Sequence, residues 1–352
     1  MTKINNFADM KKIITFLLLI STLFMACETD FEVNSDWKEV MIVYGLLDQS
    51  KPQQYIKINK AYLGEGDALQ MASVADSINY NPADLVVKIY KVKDGTFGSV
   101  DTIGFVTLYD TILEKEEGLF STDENIIYTT PSNFFLTNNA DEKDYILSIY
   151  NKKTKRIVSA KSNLIHELNL DIPLSKPMGF YSPIPAPPIP MPLEKSQTTV
   201  NWYHAKNGKI YQIIARIYYT DFFQNDTISN YIDWIQPQII YDGSTEMHYT
   251  FKGDVFVNTL ASKIKNTNSN LMARRLSHVE LFFTVGSEDL HTYMAVNEPF
   301  EGIVQERPVF TNINNGIGLF SCRYNASHIM SFPSYTREGI SIDLDSLHFV
   351  YP

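Results

Sequence analysis

Cysteine is nearly absent: the 352 residues hold two, Cys27 and Cys322. That excludes a disulfide-stapled scaffold and a structural zinc cluster, since both need several thiolates. Positive charge is scarce as well. Thirty Lys and Arg stand against forty Asp and Glu, a formal net charge of −10. A chain of that sign is repelled by nucleic acid and by anionic membrane surfaces. The densest basic cluster, Lys152, Lys153, Lys155 and Arg156, reads as a hairpin tip. Catalytic signatures are missing too. There is no HExxH, no GxSxG and no GxxxxGK[ST]. The seven histidines never stand four apart, which removes the usual helical zinc pair. Gly316–Gly318 is too short for a dinucleotide fingerprint; Asn314, Asn315 and Gly316 read instead as a turn that needs positive φ. No cofactor is expected.

The apolar stretch Ile13 to Met25 is well short of the roughly 20 residues that span a bilayer. Lys11 and Lys12 precede it, and Ala26 and Cys27 follow it. A charged front, a short apolar run and a small residue before a cut form a bacterial secretory signal over residues 1–26. With cysteine at the cut, FMA-Cys27 resembles a lipobox, although Phe24 stands where the consensus prefers Leu. Cys27 is then the first mature residue and the site of lipidation, with palmitate among its acyl chains. Each buried methylene contributes about 0.8 kcal/mol, so three chains would anchor the protein to a membrane effectively permanently. The acidic tether at 27–36, with Glu28, Asp30 and Glu32, resembles the surface-export signal of Bacteroidota lipoproteins. The expected address is the outer membrane, facing the cell surface. Cleavage removes three lysines and one aspartate and takes the net charge from −10 to −12. Only Cys322 would remain as a thiol, so no internal disulfide can form.

The rest of the chain reads as mainly β. Val40–Leu47, Tyr55–Lys60, Leu85–Val92 and Tyr145–Tyr150 carry β-rich or alternating apolar patterns closed by polar turns. Residues 37–172 are therefore expected to form an antiparallel β-sandwich, with one short helical turn near Gly66–Ala75. Half of the sixteen prolines then fall between Pro173 and Pro192. Proline lacks a donor and fixes φ, so 173–192 reads as a polyproline linker: a semi-rigid spacer or surface strap, in preference to a docking ligand. Residues 193–352 are expected to form a second β-rich domain with one or two short helices. Lys209–Thr220 and Val279–Val285 alternate as strands, and Gly339–Val350 reads as a closing strand. Phe256, Leu260 and Ile264 mark an amphipathic helix behind Asp254, and Ser287 can cap another.

Several pieces share one resemblance. The lipobox, VYGLLDQ at Val43–Gln49, YIKINKAYLGEGDAL at Tyr55–Leu69, SEDLHTY at Ser287–Tyr293 and FTNINNGIGLF at Phe310–Phe320 resemble the Bacteroidota lipoproteins grouped as domain of unknown function 4249. The resemblance implies a cell-surface lipoprotein with no assigned chemistry. It also suggests an association with outer-membrane transport systems, and it brings no catalytic residues.

Candidate sites are few. Asp141, Glu142 and Asp144 could offer oxygens to calcium but lack the regular loop spacing, and Glu114, Glu116 and Glu117 read as a solvated turn. Asp343 and Asp345 fall on one face of the expected closing strand and could in principle pair for glycoside hydrolysis. Phe222, Phe223, Tyr231 and Trp234 lie in the loop-like TDFFQNDTISNYIDW and are the candidates for an exposed ligand-binding patch. Ser77, Thr102, Thr111, Thr227 and Ser346 each follow Asp and precede an aliphatic residue, a pattern resembling an exported-protein O-glycosylation sequon. The expected function is non-enzymatic: a surface lipoprotein that binds a partner, such as an outer-membrane transporter. The rivals are a carbohydrate-binding module using the loop aromatics and a hydrolase with scattered groups.

Overall fold

Period-two patterns dominate, and they become strands whose alternate side chains are buried. In Val40–Asp48 (β1), Met41, Val43 and Leu47 point inward while Tyr44 faces out. The computed structural model describes residues 40–61, 74–94, 99–114, 125–132, 144–173, 176–184, 192–265, 269–298 and 309–351. The secretory signal, Cys27 and the tether lie outside the described residues, as does most of the expected turn at Gly66–Ala75. After β1 come β2 (Tyr55–Ala61), the one-turn helix α1 (Ala75–Ile78), β3 (Leu85–Asp94), β4 (Val100–Ile112), β5 (Ile126–Thr129), β6 (Asp144–Asn151) and β7 (Ile157–Asn163). Then follow β8 (Tyr181–Pro183), β9 (Leu193–Lys195), β10 (Gln197–Tyr203), β11 (Ile210–Phe222), β12 (Thr227–Ile235), β13 (Ile239–Ile240) and β14 (Glu246–Lys252). The last elements are α2 (Gly253–Lys263), β15 (Ala273–Gly286), α3 (Glu288–Asn297), β16 (Ile313–Asn314), β17 (Gly316–Ser331) and α4 (Ser334–Asp343). The protein is mainly β, as the patterning implied.

One sheet threads the molecule in the order β12-β11-β15-β17-β1-β2-β5-β4-β3-β6-β7-β16, with β13 pairing β11 off that path. It is mixed rather than wholly antiparallel, because β1 runs parallel to β17. β16 pairs with β7, and the chain then turns at Asn315 (φ 60°) straight into β17. The path through β7 and the path through β1 therefore meet in one short segment. The strands curl over a core that includes Val43, Ile58, Val87, Ile89, Leu147, Val158 and Phe320. So the first β-rich segment is completed by strands from the far end of the chain, and the expected boundary at 173–192 is crossed by hydrogen-bonded pairing. All described residues belong to one compact unit.

β17 does two jobs. Its first half, Gly316–Arg323, pairs with β1, and its second half, Arg323–Ser331, pairs with β15. Gly318 has φ +118°, and a Cβ there would sit 2.0 Å from the Val43 carbonyl oxygen. Only glycine permits that close approach with that backbone. Beneath β11, β12 and β15 lies a second layer built from β10, β14 and α2. Trp202 packs against Phe283 (5.6 Å), Trp234 against Phe251 (5.3 Å), and Phe180 stacks on Phe256 (4.0 Å).

Three expectations change here. In the described part of the Pro-rich segment, 176–184, the chain is packed as part of the core and not as a spacer: Met178 and Phe180 are fully buried, and Met178 N–H donates to the Ser331 carbonyl, while 185–191 lie outside the described residues. β8 pairs β9, and Ile184 N–H donates to Pro192 O (2.8 Å). Burial of Met178, Phe180 and Tyr181 holds the described part against the core. Gly339–Val350 is no strand. Thr336, Ile340 and Leu344 are buried at helical spacing; the first two lie in α4, Leu344 caps its end, and a 3-10 turn follows at Asp345–Leu347. The loop-like TDFFQNDTISNYIDW is a hairpin of β11 and β12, with Phe223 N–H donating to Asp226 O across the turn. α2 and α3 form as expected, and the Ser287 side chain accepts from Leu290 N–H.

Candidate functional site

A depression lies over the outer ends of β1 and β2. It is an open groove of about 470 Å³ lined in part by Tyr44, Asp48, Lys51, Tyr55 and Arg323. β1 and β2 pair with Tyr44 opposite Lys57, and β1 pairs β17 with Asp48 opposite Arg323. Three strands therefore bring these side chains to one end of one sheet face.

The turn between β1 and β2 is fixed by buried polar groups. Gln54 is 1% exposed; its Oε1 accepts from Asp48 N–H (2.7 Å), and its Nε2 donates to Asp48 O and Lys51 O (3.0 and 3.1 Å). Thr130 ties the turn to the strand beyond, through Gln54 N–H donating to Thr130 Oγ1 (3.0 Å). Asp48 is buried and fully engaged. Ser50 donates to Oδ1 through both N–H and hydroxyl, while Arg323 Nε (3.1 Å) and Asn325 Nδ2 (2.7 Å) donate to Oδ2. Asn325 is oriented in turn by Thr284, whose hydroxyl donates to Asn325 Oδ1 (2.8 Å). A buried carboxylate with four donors is well compensated.

Above that base the groove is less committed. The Arg323 side chain is 43% exposed, and its two terminal nitrogens have no protein acceptor among the described residues. Lys51 is exposed, and its ammonium is likewise without an acceptor among the described residues. Tyr44 and Tyr55 each keep 44% of their surface exposed. Tyr44 is held edge-on against Tyr293 of α3 (centroids 6.1 Å), with the hydroxyls 3.2 Å apart. Burial, reinforced by that hydroxyl contact, pushes the Tyr44 phenol up to about 12, so it stays protonated at neutral pH.

The residues singled out from the sequence are placed elsewhere and are not brought together. Trp234 is 7% exposed and packs inside against Phe251, Phe256 and Phe180, so it belongs to the core and not to a surface patch. The reason is parity: Trp234 and Tyr231 are three apart on a strand and point to opposite faces. Tyr231 is exposed, with the Arg216 guanidinium 4.2 Å from its ring centre. Phe222, half-buried under Arg275 (5.1 Å), lies opposite Thr227, whereas Tyr231 lies opposite Tyr218. Phe223 is half-buried at the hairpin turn. Thr102, Thr227 and Ser346 are exposed, while Ser77 and Thr111 are half-buried. Asp343 and Asp345 do not share a strand face, because they sit at the end of α4 and on the turn after it; Asp343 Oδ2 accepts from Tyr181 (2.7 Å) and pairs with Lys195 (3.1 Å). Asp144 pairs with Lys161, and Asp141, Glu142, Glu116 and Glu117 lie outside the described residues. Among the described residues no group of three or more His, Cys, Asp or Glu is placed to hold a metal ion.

Sequence reasoning closed the Val40–Leu47 strand on a polar turn but did not mark the groove. Asp48 and Arg323 are 275 positions apart, and nothing local to either residue announces the other. No protein-family model matches the chain, and no curated protein matches it.

Proposed function

We propose that this chain is a cell-surface lipoprotein of an outer membrane, held by acyl chains on Cys27, that works as a non-enzymatic binding protein and as an accessory to an outer-membrane transporter. The observation that carries the binding role is the groove over β1 and β2. It combines a rigid, fully hydrogen-bonded base with cationic donors and tyrosine rings left open to solvent. Preorganised donors beside partly exposed aromatic rings are what a recognition site requires. The address rests on Lys11, Lys12, the short apolar run and Ala26-Cys27, and on the likeness to the domain-of-unknown-function 4249 lipoproteins.

Mass spectrometry of protein extracted from its native envelope tests the address. The expected amino-terminal peptide starts at Cys27 and carries a thioether-linked diacylglyceryl group. Cys27→Ala should leave the leader attached and abolish acylation. An unmodified Cys27 thiol in the native material would overturn the placement. Proteinase K added to intact cells should degrade the chain, and full protection would refute exposure on the outer face.

A further inference from the structure

We propose that the groove over β1 and β2 binds a carboxylated saccharide, the Arg323 terminal nitrogens holding the carboxylate and the Tyr44 and Tyr55 rings flanking the sugar. This rests on the binding role proposed above and names the ligand class for that site. Four features of the site support it.

The first is donor geometry. Arg323 uses Nε alone on Asp48, and its outer edge, with both terminal nitrogens, is free among the described residues. That planar fork matches a carboxylate with two parallel hydrogen bonds. The second is charge. Arg323 is balanced by Asp48, so Lys51 leaves the groove with a surplus positive charge in a chain whose net charge is −10. A local cation on an acidic molecule focuses anions to that place. The third is the pair of half-exposed tyrosines. Each offers an apolar ring and a hydroxyl, suited to the C–H face and the hydroxyls of a pyranose. The fourth is rigidity. Asp48, Gln54, Thr130 and Asn325 fix the base before any ligand arrives, which lowers the ordering cost of binding. A volume of about 470 Å³ lies within the range of small-molecule sites.

Calorimetry on the detergent-solubilised lipidated protein tests this. Tetragalacturonate is the acidic probe, maltotetraose the neutral one, and tetraglutamate and inorganic phosphate are the non-sugar anions. Tetragalacturonate should bind, and the other three should bind at least tenfold more weakly. Lys51→Gln and Tyr55→Ala should each weaken tetragalacturonate about tenfold without shifting the melting temperature, because neither side chain is buried. Arg323→Gln should weaken it further, and its melting curve checks that the Asp48 base survives. Equal affinity for the neutral sugar, equal affinity for tetraglutamate or phosphate, or binding unchanged by both Lys51→Gln and Tyr55→Ala would overturn the proposal. Maltotetraose binding that Tyr55→Ala abolishes would overturn the acidic ligand alone and leave the binding role standing. If none of the four probes binds, the ligand class fails, while the mass and protease measurements above still decide the address separately.

Discussion

Two places on the same sheet carry the same residue types and behave differently. On the β11–β12 hairpin, Arg216 donates to Asp233 through Nε and a terminal nitrogen (2.7 and 2.9 Å), and its guanidinium lies between Tyr231 (4.2 Å) and Phe282 (5.1 Å). In the groove, Arg323 meets Asp48 through Nε alone among the described residues. The hairpin arginine is satisfied internally. The groove arginine is not, because Ser50 and Asn325 already occupy much of Asp48. Arginine, aspartate and tyrosine together therefore do not make a site; what matters is how many donors the fold leaves without an acceptor. A third pair sets the other limit. Arg274 and Asp221 have side chains only 3% and 12% exposed, and Arg274 also donates to Leu347 O, clasping the C-terminal segment.

The contrast can be broken by substitution, beginning with the largest expected effect. Arg274→Ala leaves Asp221 buried without its cation and should cost about 3–5 kcal/mol in urea unfolding. A loss below about 1 kcal/mol would mean that Asp221 finds water or that the C-terminal segment detaches freely. Trp234→Ala should cost a similar 3–5 kcal/mol by opening a cavity among Phe251, Phe256 and Phe180. Tyr231→Ala, on the outer face of the same strand, should stay within about 0.5 kcal/mol. Equal effects in these two variants would refute the assignment of the two faces. Arg216→Ala should cost only about 1 kcal/mol, since both partners are roughly one-third exposed, and it should leave the groove's ligand affinity unchanged.

The smallest effect depends on acid. The hydrogen bond from Arg216 holds the Asp233 carboxyl below its ordinary range, against a weaker opposing push from burial. A depressed folded pKa gives stability that is fully present above the unfolded pKa, and that is lost as pH falls through the folded one. Urea midpoints should therefore drop more steeply below about pH 4 in the native chain than in Arg216→Ala. Parallel slopes would show that the hairpin pair is screened out.

The sequence reading was strongest where structure is local. β11, β15 and α2 follow from their apolar periods, and Ser287 caps its helix because a hydroxyl before Glu288 can reach the Leu290 amide. Of the expected turn residues Asn314, Asn315 and Gly316, Asn315 alone makes the turn, with φ 60°; Asn314 ends β16 and Gly316 opens β17. Reading failed where two periods compete. Ile340, Ile342 and Leu344 alternate, yet Thr336, Ile340 and Leu344 also fit one helical face, and packing under Tyr181 selects the helix. It failed for Trp234 because a hairpin with a polar turn resembles a loop until its pairing partner is known.

The sequence by itself determined the mainly β character, the strand and helix periods and the turn residues, since each depends on backbone preferences and side-chain spacing over a few positions. Tertiary structure alone decided that β17 closes the first β-rich segment and continues into the second, and so placed Arg323 beside Asp48 and the two tyrosines of β1 and β2. Pairing between strands some 270 residues apart is selected by complementary faces and loop closure across the whole chain, and no short window of residues carries that information.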